Sequence, residues 1–507
     1  MPLNVDKTSP SGQSRLAEIE KMLLAQHNDP ELVRTYHDLA VDTGRIGSAR
    51  KTFDTLQARF PNDRHIRRLN IALCLKQHDY PAAMHEIEAL LSVGTPEDEL
   101  IEAALSVRAK LGPMTVAASP CTEGTVSLCM IVKDEIASIG ACLKNAKALA
   151  DEIIVVDTGS KDRTADVAAA FGARTFTYNW IDDFAAARNY SLDQAQGDWI
   201  LILDADEMIA SKDHDSLRRL IRTYANQPVA LSITTRNYTH LANAFQWQAN
   251  DGSYPGHEAG LGWVPSHKVR LFPRMERIRF RYPVHERVDP AIRESGLPIV
   301  DCPTPVHHYG DLNDAKKQTK ATIYFKLGYA KLNQLGNDLA AIRELAVQAG
   351  QLAYWTEAIA LWRRLLEMRP NWAEAYVNMA SAYWQMAQYE KALSMARRAM
   401  ELEPDLKEAR YNVAVSLLFL EQAAEAAKIL SDLIIDHQDS LTARFMLAAA
   451  YGCLGDAQRS AKEFHAIRKR QDGRIVSMAM DDLLNRLRKS GLSEYAHRLG
   501  EGRNKDV

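Results

Sequence analysis

A 34-residue echo constrains this chain more than any other feature. Ala358, Ala392 and Ala426 recur at that interval, and Ser460 follows one step later. A second series, Ala346, Ala380, Ala414 and Ala448, keeps the same spacing. Pro370 and Pro404 each stand 12 residues after an alanine of the first series, and Tyr383 and Tyr451 share one register position. Small residues at fixed places let paired helices approach closely. Proline then ends the second helix of each pair, because it lacks an amide donor and clashes with the turn before it. Such a pair exposes one apolar face unless its neighbours stack on it.

A helix–turn–helix unit of 34 residues is the tetratricopeptide period, and residues 339–490 are expected to form a C-terminal module of it. The register returns near the other end. Ala49 and Ala83 are 34 apart and Pro61 lies 12 after Ala49, although His37 and Ile71 stand where small residues are expected. Residues 15–112 therefore read as an N-terminal repeat-like module behind a disordered tail, 1–14. Residues 113–125, within LGPMTVAASPCTEGT, are small, polar and helix-breaking, as a linker should be. A connecting helix is expected over 313–338 and a second tail over 491–507.

Between the modules, residues 126–312 change pattern. Apolar runs at 127–133, 152–159, 173–178, 199–207 and 230–238 alternate with helical periodicity at 136–149, 163–172, 182–196 and 215–226. Uninterrupted apolar strands separated by helices predict a parallel sheet covered on both faces, a doubly wound α/β domain.

Composition removes several function classes. The 62 basic and 65 acidic residues leave a net charge of −3, so general nucleic-acid binding has no electrostatic basis. Arg277, Arg279 and Arg281 alternate as on a solvated strand face. Cys74, Cys121, Cys129, Cys142, Cys302 and Cys453 are scattered without a C-x-x-C pair. Free thiols in a reducing cytoplasm are the simplest expectation. The polar start MPLNVDKTSPSGQ has no signal-peptide core, and no apolar run is long enough to predict a membrane span.

Ligands of open α/β sheets bind at the carboxyl ends of the strands, and acidic residues gather there. The first strand ends in Lys133-Asp134-Glu135, the second in Asp157-Thr158-Gly159-Ser160, the fourth in Asp204-Ala205-Asp206-Glu207. Like charges repel, so three acidic clusters at one edge call for a cation. On an extended chain Asp204 and Asp206 would point the same way, and Mg²⁺ or Mn²⁺ is commonly held by one or two carboxylates plus diphosphate oxygens. No G-x-G-x-x-G follows the first strand and no P-loop occurs, which disfavours a dinucleotide dehydrogenase or an ATPase.

VSLCMIVKDE, IIVVDTGSKDRT, DDFAAARNYSL, GDWILILDADE, KVRLFP, VHERV and HHYG follow one another in that order. Together they resemble the family 2 glycosyltransferases of GT-A fold, in the branch with tetratricopeptide repeats that includes bacteriocin S-glycosyltransferases and flagellin glycosyltransferases. The resemblance implies a GT-A-like doubly wound α/β domain flanked by α-helical repeat modules, and inverting transfer from a nucleotide-diphosphate sugar, UDP favoured. It implies that Glu135 and Asp157 line the nucleotide pocket, that Asp204 contacts ribose or metal, and that Asp206 and His308 hold the metal. Glu286 would be the general base, with Glu207 as its rival. On a regular strand His285 would point away from Glu286, and His307 would be structural. Arg188 would pair either with a phosphate or with an acid of the D-x-D pair. The insertion 239–267 carries Trp247, Tyr254 and Trp263, which could stack on a sugar or hold an acceptor segment.

Stacked helix pairs suit a polypeptide, so the expected acceptor is a Ser, Thr or Cys side chain. The repeats could equally form a homodimer or dock the enzyme on a larger assembly. A lipid-linked or cell-surface glycan is the alternative acceptor, and a scaffold with an inactive transferase domain the alternative function.

Overall fold

The computed structural model describes residues 10–25, 29–114, 124–239, 247–260, 262–310, 314–437, 440–468 and 473–503. Cys121, most of the expected linker and the outermost residues of both expected tails lie outside the described residues. Chain contacts define two compact units. The first comprises Met1–Thr235, His267–Arg281 and Glu286–His308; the second comprises Arg236–Ser266, Tyr282–His285 and Tyr309–Val507. The block 126–312, which the sequence treats as one domain, is thus divided between them.

The first unit opens with helices α1 (Pro10–Ala25), α2 (Pro30–Asp42), α3 (Ile46–Arg59), α4 (Arg64–Lys76), α5 (Tyr80–Leu91) and α6 (Asp98–Leu111). Helix α1 starts inside the segment expected to be a disordered tail. Then follow β1 (Val126–Val132), α7 (Ile139–Ala146), β2 (Glu152–Asp157), α8 (Thr164–Ala170), β3 (Arg174–Thr177), α9 (Phe184–Gln194), β4 (Trp199–Ile202), β5 (Glu207–Ile209) and α10 (Ser211–Thr223). After these come β6 (Ala230–Thr239), β7 (Gln248–Ala249), β8 (Gly262–Pro273), α11 (Asp289–Glu294) and β9 (Ile299–His308). Strand β7 belongs to the second unit, and β6 and β8 each run from one unit into the other.

The sheet order is β3-β2-β1-β4-β8-β6-β9-β5. Strands β3, β2, β1 and β4 are parallel, as the apolar runs predict. The rest departs from an all-parallel sheet. Strand β8 runs antiparallel to β4, and β5 antiparallel to β9. An antiparallel neighbour needs no helical crossover.

Alternate residues of the central strands enter different cores. Leu128, Met130, Ile153 and Val155 join a cluster with α7 and α8, whereas Cys129, Ile154 and Val156 join one with Ala185 and Leu192 of α9. The first cluster continues into Ile87, Leu91 and Ile101 of α5 and α6, so the N-terminal helices and the sheet share one core. Gly140 marks a close approach, since a Cβ there would lie 2.1 Å from the Leu91 carbonyl oxygen. Glu88 fastens the junction by accepting from Arg108 at 2.9 Å and from Lys147 at 2.6 Å.

The second unit carries α12 (Asp314–Leu335), α13 (Leu339–Gln351), α14 (Trp355–Met368), α15 (Ala373–Gln385), α16 (Tyr389–Leu402), α17 (Lys407–Phe419), α18 (Ala423–Asp436), α19 (Leu441–Cys453), α20 (Ala457–Arg468), α21 (Gly473–Lys489) and α22 (Ser493–Arg503). Both alanine series are buried. Helix α22 occupies most of the segment expected to be a tail; Ala496 and Leu499 sit in a core with α19, and the Tyr495 hydroxyl donates to Glu421 O.

The backbone reveals a register the side chains hide. Gly44, His78, Ala353, Ala387, Glu421 and Gly455 all have φ between +54° and +79°. Each stands five residues before a small residue: Ala49, Ala83, Ala358, Ala392, Ala426 and Ser460. A left-handed residue after the first helix turns the chain into the second. Both modules therefore use the same turn, although only two of the six positions are glycine.

The aromatic insertion packs on itself and on the repeats. The Arg236 guanidinium lies 4.7 Å from the Tyr254 ring and 4.6 Å from the Trp263 ring. Trp247 is buried, and its carbonyl accepts from Lys407 Nζ at 2.8 Å. Tyr254 and Trp263, expected to stack on a sugar or hold an acceptor segment, both lie against Arg236 of this chain.

Candidate active site

The carboxyl ends of β1 and β2 are laced together. Thr158 donates its amide and its hydroxyl to Val132 O, both at 3.0 Å. Asp134, at φ +54°, donates its amide to Ser160 Oγ and accepts from the Lys161 amide. The Glu135 amide donates to Thr164 Oγ1, and its carboxylate accepts from Ser138 Oγ at 2.9 Å. These bonds delay the helix expected from residue 136, so α7 begins only at Ile139. Asp157 Oδ1 accepts the amides of Gly159 and Ser160, at 3.0 and 2.8 Å. Its orientation is fixed while Oδ2 accepts no hydrogen bond among the described residues.

The third acidic cluster is a turn, which corrects the extended strand expected through residue 207. Strand β4 ends at Ile202, and β5 begins at Glu207. Glu207, the rival base, is fully engaged. Both its oxygens are held by Arg270, and Oε2 also takes the Asp204 amide at 2.9 Å. Sequence reasoning missed Arg270. Its signal was a cation flanked by apolar residues in the VRLF stretch of KVRLFP, since an arginine buried there must be paired.

Arg188 of α9 joins two expected site residues. Its Nε donates to Glu286 Oε1 at 2.6 Å and its Nη2 to Asp204 Oδ1 at 2.7 Å. Burial opposes charge on Arg188, yet the two carboxylates raise its pKa. Burial works to raise the Asp204 pKa as well, but Arg188, Arg270 and Lys268 hold it far below the usual carboxylate range.

Glu286 does not lie on a strand, as the sequence suggested. Residues 282–286 form a bend closed by a bridge between Arg281 and Arg287. Asn189 anchors the entry to that bend. Its side-chain amide donates to Phe280 O at 3.0 Å and accepts from the Phe280 amide at 2.8 Å. His285, at φ +48°, meets Gln348 of α13 within the second unit. Arg279 and Arg281 pair with Asp193 and Glu294 around buried Ile278 and Phe280, a solvated face without strand structure.

His308 arrives through strand pairing. Register sets Glu207 opposite His308 and Met208 opposite His307, which is fully buried. His308 Nε2 then lies 3.5 Å from Asp206 Oδ2. Two donors on one octahedral ion stand about 3 Å apart, so this pair fits a small divalent cation. Among the described residues no three His, Cys, Asp or Glu side chains gather around one point. Substrate oxygens and water would have to complete the shell. Asp204, also expected on the metal, directs Oδ1 to Arg188.

Residues 127–284 match the family model of glycosyl transferase family 2, and residues 373–406 match a tetratricopeptide repeat. Glu286 and His308 lie just beyond the first match. A TPR repeat-containing protein of Synechococcus elongatus is 39% identical over 200 residues, 38% of this chain and 44% of that protein. An uncharacterized glycosyltransferase of Rickettsia bellii is 30% identical over 119 residues, 22% of this chain and 40% of that one. The SPbeta prophage-derived glycosyltransferase SunS of Bacillus subtilis is 32% identical over 100 residues, 19% and 24% of the two chains. The chain spans less than half the length of these relatives. This chain therefore carries a family 2 glycosyltransferase domain together with tetratricopeptide repeats.

Proposed function

We propose that the protein transfers a sugar, with inversion, from a nucleotide-diphosphate sugar to a polypeptide side chain presented by the repeats. The observation that carries this reading is the linked set Asp204–Arg188–Glu286 beside Asp206 and His308, at the carboxyl edge of the parallel strands. Asp157 and Glu135 border the nucleotide, UDP by preference. Asp206 and His308 hold Mn²⁺ or Mg²⁺, with Asp204 beside them. A bound divalent ion supplies charge neutralisation for the departing diphosphate. Arg188 Nη1 is buried without a hydrogen-bond partner among the described residues, and it is a ready donor for a substrate oxygen.

The acceptor Ser, Thr or Cys attacks the anomeric carbon, and the bond from that carbon to the diphosphate oxygen breaks. Glu286 takes the acceptor's proton. Its Oε1 is held by Arg188, and Oε2 stays available because no described residue donates to it. The acceptor class rests on the repeats, whose stacked pairs expose surface for a peptide.

The test is a thermal-shift panel of nucleotide sugars, UDP-sugars among them, with Mn²⁺, followed by turnover of the stabilising donor. Wild type should melt higher with one donor and hydrolyse or transfer it, and Asp206→Asn should lose both effects. A wild type that ignores every nucleotide sugar would leave a repeat scaffold with an idle domain. Transfer to glycan but to no protein would replace the acceptor class.

A further inference from the structure

Arg270 sits within the apolar run of β8 at 2% exposure, and Glu207, its partner, is 1% exposed. A charge pair this deep adds little net stability, because desolvating both ions offsets their attraction. Its geometry points to another use. Glu207 Oε2 accepts the Asp204 amide at 2.9 Å, and the Glu207 amide donates to Asp204 O at 3.0 Å. The carboxylate that grips Asp204 is itself aimed by both terminal nitrogens of Arg270. Arg270 is steadied in turn by Thr235 Oγ1 at 3.1 Å. From α7, Cys142 Sγ approaches Asp204 O at 3.5 Å, and Asn145 Oδ1 accepts the Ile209 amide at 3.2 Å. Every hold falls on the backbone or the shoulders of the acidic turn, which leaves the carboxylates of Asp204 and Asp206 facing their own partners.

We propose that Arg270 and Glu207 are positioning residues, a buried clamp that sets the Asp204–Asp206 turn so that Asp206 meets His308 and Asp204 meets Arg188. This rests on the reading of the site given above. Neither residue touches substrate. The clamp acts through the turn's backbone and through the register of β5 with β9, which sets Glu207 opposite His308.

The experiment replaces the pair with apolar residues of similar volume, Glu207→Leu with Arg270→Met. The readouts are the melting temperature, the affinity for UDP with Mn²⁺ by calorimetry, and the ligand-free crystal structure. A structural pair would be dispensable in this exchange. A clamp would not be, and the double variant should melt close to wild type yet bind UDP–Mn²⁺ about 10–100-fold more weakly, as when partners that orient metal ligands are lost. Its Asp206–His308 spacing should depart from 3.5 Å. Glu207→Gln with Arg270→Met keeps an oxygen for the Asp204 amide and should recover part of the affinity. Wild-type affinity in the Leu/Met double variant, or an unchanged turn in its crystal, overturns the proposal. So does unfolding of both double variants, since the pair would then serve stability. Failure of wild type to bind UDP–Mn²⁺ would appear before any variant is made, and would sink the site reading itself.

Discussion

Replacing Arg188 by methionine should destabilise the first unit in a way that depends on pH. The change keeps most of the side-chain volume and removes the charge between Asp204 and Glu286. Two charge-assisted hydrogen bonds of 2.7 and 2.6 Å are lost. Removing one partner of a fully buried ion pair costs about 3–5 kcal/mol. Here the Glu286 side chain is 15% exposed and that of Asp204 32%, so water recovers part of the loss. We take about 3 kcal/mol, or roughly 6–12 °C at the ~2–4 °C per kcal/mol of domains of 150–250 residues. The sign of the pH effect follows from the depressed pKa of Asp204. A carboxylate with a lowered folded pKa contributes its full stability above its unfolded value, about 3.9, and loses it as pH falls through the folded one. In Arg188→Met the largest attractive part of that contribution is gone, leaving Arg270 and Lys268, and burial then favours protonation of Asp204. The gap in melting temperature between wild type and variant should hold at its full size from neutral pH down to about pH 4 and narrow as the pH falls further, between the unfolded value of about 3.9 and the depressed folded one. Scanning calorimetry across that range is the assay. A constant gap, or one that widens in acid, would refute the claim that Arg188 holds the carboxylate ionised.

Glu286→Gln should cut transfer to the acceptor by about 10²–10⁴-fold, the usual worth of a general base, while UDP–Mn²⁺ affinity stays near wild type; steady-state transfer with calorimetry separates the two. Gly140→Ala drives a methyl to 2.1 Å from the Leu91 carbonyl oxygen, and the forced retreat of α7 from α5 should cost about 1–3 kcal/mol, read as a lower melting temperature. Cys74, Cys129, Cys142, Cys302 and Cys453 are buried, with burial pushing the Cys74 thiol to about 11 and the Cys453 thiol to about 12. Iodoacetamide near pH 8 should spare all five in the native protein and alkylate them in guanidinium, as peptide mass mapping would show.

The sequence alone determined whatever follows from short-range periodicity. The 34-residue spacing of small residues fixes the helix pairs, because a buried contact between close helices admits little more than a methyl group. Apolar runs fix the parallel strands β1, β2 and β4, because a strand covered on both faces carries few polar side chains, and the buried ones here, Ser127 and Glu152, are bonded to each other. The acidic strand ends were legible for the same reason: charge cannot sit inside those runs, so it marks where they stop.

Tertiary structure alone decided the rest. Whether Asp204 and Asp206 lie on a strand or a turn depends on a clamp from Arg270, 63 residues from Glu207 in the chain. The Arg188–Glu286 link spans 98 residues, and no local pattern encodes such a pairing. Division of the 126–312 block between two units is also nonlocal, since which body a loop joins is set by the surface it buries. The left-handed turn shared by both repeat modules was hidden because His78, Ala353, Ala387 and Glu421 adopt it without being glycine. Packing of the flanking helices holds them there against their intrinsic preference.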